Sequence, residues 1–265
     1  MVKVYIMTDM EGISMAYYWE QVRGGEPFHP RYKAILTMEV NAAVEGALAA
    51  GATTVVVNDG HGAGGREYNL NWEDLHPAAL IERPDSAKNI VPSLDESFDA
   101  FLLVGYHAMA GTPLAVMPHT QSSERWESYR LNGVEYGEIA QMALIAGEFG
   151  VPVAYVSGDR AAVEEARSFF GDDLPATIVK WAHPNGRITS LNPTEAARRI
   201  RADVEQALKQ PKRKPFYTPG PYEIVVTLKE KRFADELAAS PRAVRLDDLS
   251  VKFVAEKAGS ILDFS

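Results

Sequence analysis

The feature that most constrains this chain is the alternation of short, mostly apolar runs with amphipathic helical stretches from the N-terminus to about Phe170. Residues 2–7, apolar but for Lys3, and 54–57 are runs of strand length rich in β-branched side chains. Between them Leu36, Val40, Ala43, Val44, Ala47 and Leu48 recur at three- and four-residue spacings, which predicts a helix over 31–50 ended by Gly51. Strands without a polar face belong in a parallel sheet covered on both sides, and strand, helix, strand in that order predicts a right-handed crossover. The pattern continues through a strand at 101–106, a helix at 137–149, a strand at 153–156 and a helix that Gly158-Asp159 starts toward Phe170. The expected fold class is therefore α/β, a doubly wound, mostly parallel sheet with helices on both faces.

Beyond this region, Asn192-Pro193-Thr194-Glu195 supplies an N-cap, a proline at the first helical position and an acidic residue at the third, opening a helix that ends near Lys209. A Pro- and Lys-rich stretch at 211–221 reads as an exposed connection. Strands at 222–229 and 251–256 flank a short helix at 233–239, which predicts a smaller C-terminal α+β unit. The expected division is 1–187 for the α/β domain and 188–265 for the smaller unit.

Composition narrows the chemistry. The formal net charge of -9 sets the chain against nucleic acid and anionic membranes as partners. No apolar run reaches the roughly 18 residues of a membrane helix, and the N-terminus lacks the features of a signal peptide, so a cytoplasmic location is expected. Cysteine is absent, which excludes disulfides, thiolate ligands and thiol nucleophiles. A bound metal would have to be held by His, Asp and Glu.

Such residues gather where strands end. Asp9 and Glu11 follow the first strand in Thr8-Asp9-Met10-Glu11-Gly12, and continued extended backbone would point both to one side. Two adjacent carboxylates repel unless a cation lies between them; a turn-capping Asp9 and a solvated Glu11 are the bland alternative. His61 follows the second strand in Asn58-Asp59-Gly60-His61, a stretch that turn chemistry explains except for the histidine. His107 follows the run at 101–106. Glu138 opens a helix, where a carboxylate also suits the helix dipole. His119, in Val116-Met117-Pro118-His119, is uninformative alone.

The coincidence carries more than any one residue, because three strands deliver metal-type ligands to the edge where open α/β sheets bind ligands. If Asp9 bridges, then Asp9, Glu11, His61, His107 and Glu138 give each of two metals three protein ligands and leave a position open for water, the pattern of catalytic zinc. His29, His76 and His183 each adjoin a proline in a loop-like context and read as structural.

In this order the blocks Asp9-Met10-Glu11-Gly12-Ile13-Ser14, Val57-Asn58-Asp59-Gly60-His61, Leu75-His76-Pro77, Gly105-Tyr106-His107-Ala108, Thr112-Pro113, Val116-Met117-Pro118-His119, Gly137-Glu138 and Gly158-Asp159-Arg160 resemble the DppA-type D-aminopeptidase family of zinc metallopeptidases. The resemblance implies two zinc ions held by Asp9, Glu11, His61, His107 and Glu138, with Asp9 shared. It implies that His119 serves catalysis, that short peptides lose a D-residue from their N-terminus by attack of metal-activated water, and that subunits assemble into a ring, commonly a decamer. Met7 departs from the family pattern, which has serine two positions before the aspartate. Two rivals stand beside this reading. A dinuclear phosphoesterase would use a similar site, although few Arg or Lys adjoin the proposed ligands and no P-loop is present. A non-catalytic flavodoxin-like module would use the same sheet edge and hold no metal.

Overall fold

Both faces of the first strand, β1 (Val2–Thr8), are buried, with Tyr5 and Met7 in one apolar core and Val4 and Ile6 in the other. The computed structural model describes residues 2–62, 68–84, 86 and 88–265. After β1 come a single turn, α1 (Trp19–Val22), the long α2 (His29–Ala49), β2 (Ala52–Asp59), β3 (Ala79–Glu82) and β4 (Ala100–Tyr106). There follow β5 (Trp126–Leu131), β6 (Val134–Glu135), α3 (Glu138–Glu148), β7 (Val153–Asp159), α4 (Arg160–Phe170), β8 (Ala176–Ala182) and β9 (Ile188–Ser190). The chain ends with α5 (Pro193–Lys209), β10 (Tyr222–Leu228), α6 (Lys231–Leu237), β11 (Val244–Arg245) and β12 (Ser250–Ala255).

The main sheet has seven strands in the order β3-β2-β1-β4-β7-β8-β9, all pairs parallel except β8 with β9. Residues of α2 and α5 pack on the face that carries Val4 and Ile6, and residues of α3 and α4 pack on the other. This is the expected doubly wound sheet with helices on both faces. Each fully buried aliphatic side chain contributes about 1.5–3 kcal/mol, so strands such as β4, buried at every position, anchor the fold. Local signals agree with the expectation: Gly51 stands at φ 96° just past α2, and the Asp159 and Asn192 side chains cap α4 and α5 by accepting from Ala162 N and Glu195 N, each at 2.9 Å.

A second, antiparallel sheet has the order β11-β12-β10-β5-β6 and shares its apolar core with α3. Here sheet membership does not follow the expected division at 187/188. The second sheet takes β5 and β6 from the earlier part, while β9 and α5 of the later part pack with the first sheet. The physical reason is pairing: β10 needs partners on both edges, and it finds β12 on one side and β5 on the other. His29, expected in a loop, is instead the first residue of α2, with Pro30 in the first turn, where a proline costs no hydrogen bond.

Strand order reverses between β1, whose chain continues to β2, and its other neighbour β4, so the ends of β1 and β4 form a topological switch point. There the backbones come unusually close. Asp9 N donates to Val104 O and Gly12 N to Gly105 O, both at 2.8 Å. A Cβ on Gly12 would lie 1.9 Å from Tyr106 O, and one on Gly105, which has φ 79°, 2.2 Å from Asp9 O. Both positions demand glycine. We expect Gly105→Ala to lower the unfolding free energy of metal-free protein by at least about 3 kcal/mol in urea titration, combining left-handed strain with displacement of the Asp9 loop; a change under about 1 kcal/mol would contradict this packing.

Candidate metal centre

The close packing at the switch point aims the carboxylates. Strand geometry ends at Thr8, so Asp9 and Glu11 converge through a bend hydrogen-bonded to the end of β4 and not through the strand alternation expected from sequence. His61 lies just past β2 and His107 just past β4, the two strands that flank β1. Glu138 is the first residue of α3, where the helix dipole favours its charge, and its Oε1 accepts from Gln121 N at 2.7 Å. His119 lies in the connection from β4 to β5; its ring stacks on His107 with centroids 3.9 Å apart and meets the edge of Trp19 at 5.2 Å.

All six sequence-identified side chains therefore meet in one place. Asp9 sits at the centre. Its Oδ1 is 3.0 Å from His61 Nδ1 and its Oδ2 3.2 Å from His107 Nε2. Glu11 Oε2 is also 3.0 Å from His61 Nδ1, and Glu138 Oε1 is 3.4 Å from His107 Nε2. His119 Nε2 stands 3.9 Å from Glu11 and 3.8 Å from Glu138. The donors fall into two groups able to hold a cation, Asp9 with Glu11 and His61, and His107 with His119 and Glu138. By geometry alone His119 is thus a possible ligand as well as a possible proton carrier.

The orientation of each imidazole is fixed from behind. His61 Nε2 faces Val22 O at 3.0 Å, His107 Nδ1 faces Ala108 O at 2.9 Å and His119 Nδ1 faces Met117 O at 3.1 Å. A carbonyl only accepts, so the outward nitrogen carries the proton and the inward nitrogen is directed at the carboxylates. Burial would lower the His61 and His107 imidazoles, but for His61 the Glu11 charge and for His107 the close Asp9 carboxylate, with their other carboxylate neighbours, raise both well above the usual range. Burial would raise Asp9 and Glu138, yet the His107 imidazole close to both carboxylates holds them below the carboxylate range.

A test of fit for a divalent cation comes from the atoms left over. Asp9 Oδ2, Glu11 Oε2 and His107 Nε2 are buried and converge with neighbours, yet none makes a well-formed hydrogen bond. Unsatisfied buried oxygens and an unsatisfied imidazole nitrogen facing one another are costly unless a cation binds them, and an all-oxygen-and-nitrogen donor set of this kind suits zinc. The residues fit.

Beside these donors opens a cleft of about 320 Å³, bordered by His119, Gln121 and Glu138 and by an apolar wall that includes Met7, Ile90 and Met142. Met7, which stands where a hydroxyl was expected from the resemblance, thus contributes apolar surface. His76 and His183 lie outside the cluster: His76 Nδ1 accepts from Ala78 N at 3.2 Å and His183 pairs with Thr189 Oγ1 at 2.9 Å. Buried groups that support the site escaped the sequence reading. Asp59 accepts from Asn69 N at 2.6 Å, and Asn69 in turn donates to His61 O at 2.7 Å. Asp159 accepts from Val116 N at 2.7 Å and so anchors the segment leading to His119. Glu165 accepts from Met109 N at 2.7 Å, and its other oxygen lies where a Cβ of Gly137 would be. Burial pushes Glu165 and Glu39 up to about 7 and Lys180 down to about 8. A lysine within an apolar strand, as in Val179-Lys180-Trp181, was the one sequence signal available for this layer.

Comparison with known proteins identifies the family. Residues 2–264 match the family model of peptidase M55, described as D-aminopeptidase. The chain is 34% identical over 219 residues to the D-aminopeptidase of Bacillus subtilis (strain 168), covering 82% of this chain and 78% of that protein. Among solved structures, the Zn-dependent D-aminopeptidase DppA from Bacillus subtilis, described as a self-compartmentalizing protease, superposes with a TM-score of 0.91 at 28% identity, covering 99% of this chain and 95% of that one. A match that runs almost from end to end, on a fold whose switch point gathers these six donors, places the chain in the peptidase M55 family of D-aminopeptidases.

Proposed function

We propose that this chain is a zinc-dependent aminopeptidase that removes the N-terminal residue, of D configuration, from short peptides. The observation that carries this reading is the division of the Asp9 carboxylate, one oxygen toward His61 and the other toward His107, beside the buried atoms Asp9 Oδ2, Glu11 Oε2 and His107 Nε2 that make no hydrogen bond. Family membership supports the reaction class, and the zinc dependence of the Bacillus subtilis neighbour supports the metal. The phosphoesterase and the non-catalytic module are not favoured by that membership.

In this proposal Asp9 would be shared by two zinc ions, one held with Glu11 and His61 and the other with His107 and Glu138. When bound, such a pair supplies Lewis-acid polarisation of a carbonyl and a water acidic enough to attack it near neutral pH. The chain's own groups do the rest. His119 presents its Nε2 toward the cleft, held there by its Nδ1 bond to Met117 O and by stacking on His107. It accepts a proton at Nε2 and returns it to the leaving amide nitrogen. Gln121 N holds the Glu138 carboxylate in place, and the apolar wall of Met7, Ile90 and Met142 excludes water from one side of the cleft. All six donors lie within the 1–187 portion, which we regard as the catalytic part.

The proposal extends to self-association of subunits into a closed ring, with ten copies as the expected number; its support is the description of the neighbour as self-compartmentalizing. A cytoplasmic setting belongs to the same proposal. No helix among the described residues is long and apolar enough to cross a membrane.

The deciding experiment is hydrolysis of D- and L-aminoacyl anilides with and without chelator, run beside metal quantification. We expect zinc-bearing protein to cleave the D-substrates and to lose that activity with its metal; chelator-resistant cleavage or a preference for L-substrates would overturn the proposal. His119→Ala is expected to lower kcat at least about 10²-fold while zinc content is retained, and an unchanged kcat would remove His119 from the reaction. Asp9→Ala is expected to lose both zinc ions together, read by elemental analysis. Retention of two per chain would refute the shared carboxylate.

A further inference from the structure

Lys180 is the one lysine that is fully buried among the described residues. It sits within β8, flanked in sequence by Val179 and Trp181, where an ammonium is expensive unless its protons are all directed at acceptors. Its Nζ donates to Glu11 O and, at 2.6 Å, to Ala16 O. These two carbonyls bracket the loop that carries the Glu11 carboxylate. Glu39 of α2, also fully buried, accepts from Ser14 N at 2.9 Å, midway along the same loop. Neither Lys180 nor Glu39 borders the cleft, so neither reaches a substrate.

Apolar side chains would pack a loop against a sheet without the desolvation cost of a buried charge. A lysine aimed at main-chain oxygens does something packing does not: it fixes the direction of the chain at Glu11. The amides of Asp9 and Gly12 tie the first part of the loop to β4, and Ser190 Oγ accepts from Met15 N at 2.9 Å, whereas the carbonyls of Glu11 and Ala16 are held by the side chain of Lys180 and the Ser14 amide by Glu39. We propose that Lys180 is a positioning residue of the metal centre, which holds the carbonyls of Glu11 and Ala16 and thereby sets the Glu11 carboxylate beside Asp9 and His61. This rests on the zinc reading above and adds to it a residue from a strand that contributes no ligand.

Lys180→Met preserves length and apolar bulk while removing the charge and the donors. Zinc affinity of chelator-stripped protein is measured by competition with a chromophoric chelator, and folding of the metal-free variant by its thermal melt. The expected result is a folded variant whose affinity for at least one zinc falls about 10- to 100-fold. Undiminished affinity for both would overturn the proposal. A second measurement uses the unmutated protein with 15N-labelled lysine: Lys180 should give an ammonium signal protected from solvent exchange that shifts when zinc is added. If Lys180→Met fails to fold, this signal decides, and its absence or its indifference to zinc rejects the proposal. Wild-type protein that takes up no zinc would instead reject the metallopeptidase reading itself, which separates the two failures.

Discussion

The docking of the Asp9 loop onto the end of β4 is the interaction from which the rest of the site follows. Two main-chain hydrogen bonds of 2.8 Å draw the chain after β1 across its neighbour, and they form only because Gly12 and Gly105 carry no side chain at the contact. Gly158 of β7 joins them, since a Cβ there would lie 2.1 Å from Tyr106 O. Three glycines from three places in the sequence thus surround a single turn of backbone. The histidine that follows this turn and the aspartate that packs on it are brought face to face by main-chain geometry, before any side-chain preference acts.

That arrangement shows how carboxylates are kept ionised out of water. Asp9 and Glu11 are almost wholly buried, and each would be expensive there alone. The cost is spread over imidazoles whose far nitrogens are committed to carbonyls, so the near nitrogens cannot turn away. Rings locked in this manner form a preset cavity for positive charge, and preset donors bind metal without paying to be ordered first.

Much of this was legible in the sequence because it follows periodicity and position. The strands at 2–7 and 101–106, the caps at Asp159 and Asn192, and the gathering of Asp9, His61 and His107 at strand ends all rest on local patterns, and the ordered blocks from Asp9 to Arg160 carried the family resemblance. What escaped was pairing between distant segments. β5 reads Trp-Glu-Ser-Tyr-Arg-Leu, too polar on one face to stand out, and its place in a second sheet depends on β10, some ninety residues away in the chain. The convergence of Asp9 with Glu11 was anticipated for the wrong local reason, because extended geometry stops one residue too early and a bend takes over. Asn69 and Glu165 were invisible for a related reason: a buried polar side chain that binds backbone leaves no periodic trace.

The path of the chain between His107 and Trp126 has its own consequence. It leaves the first sheet at one end and enters the second at the other, with His119 suspended along the span. β5 is pinned by pairing with β10 from Ile224↔Leu131 through Val226↔Tyr129. A protein trimmed after residue 215 would retain every donor atom of the centre in its sequence but lose the far abutment of this bridge. The antiparallel sheet therefore fixes the far end of the span that carries His119, whose own position is held from the first sheet's side by Ala108 O and by Asp159 behind Val116.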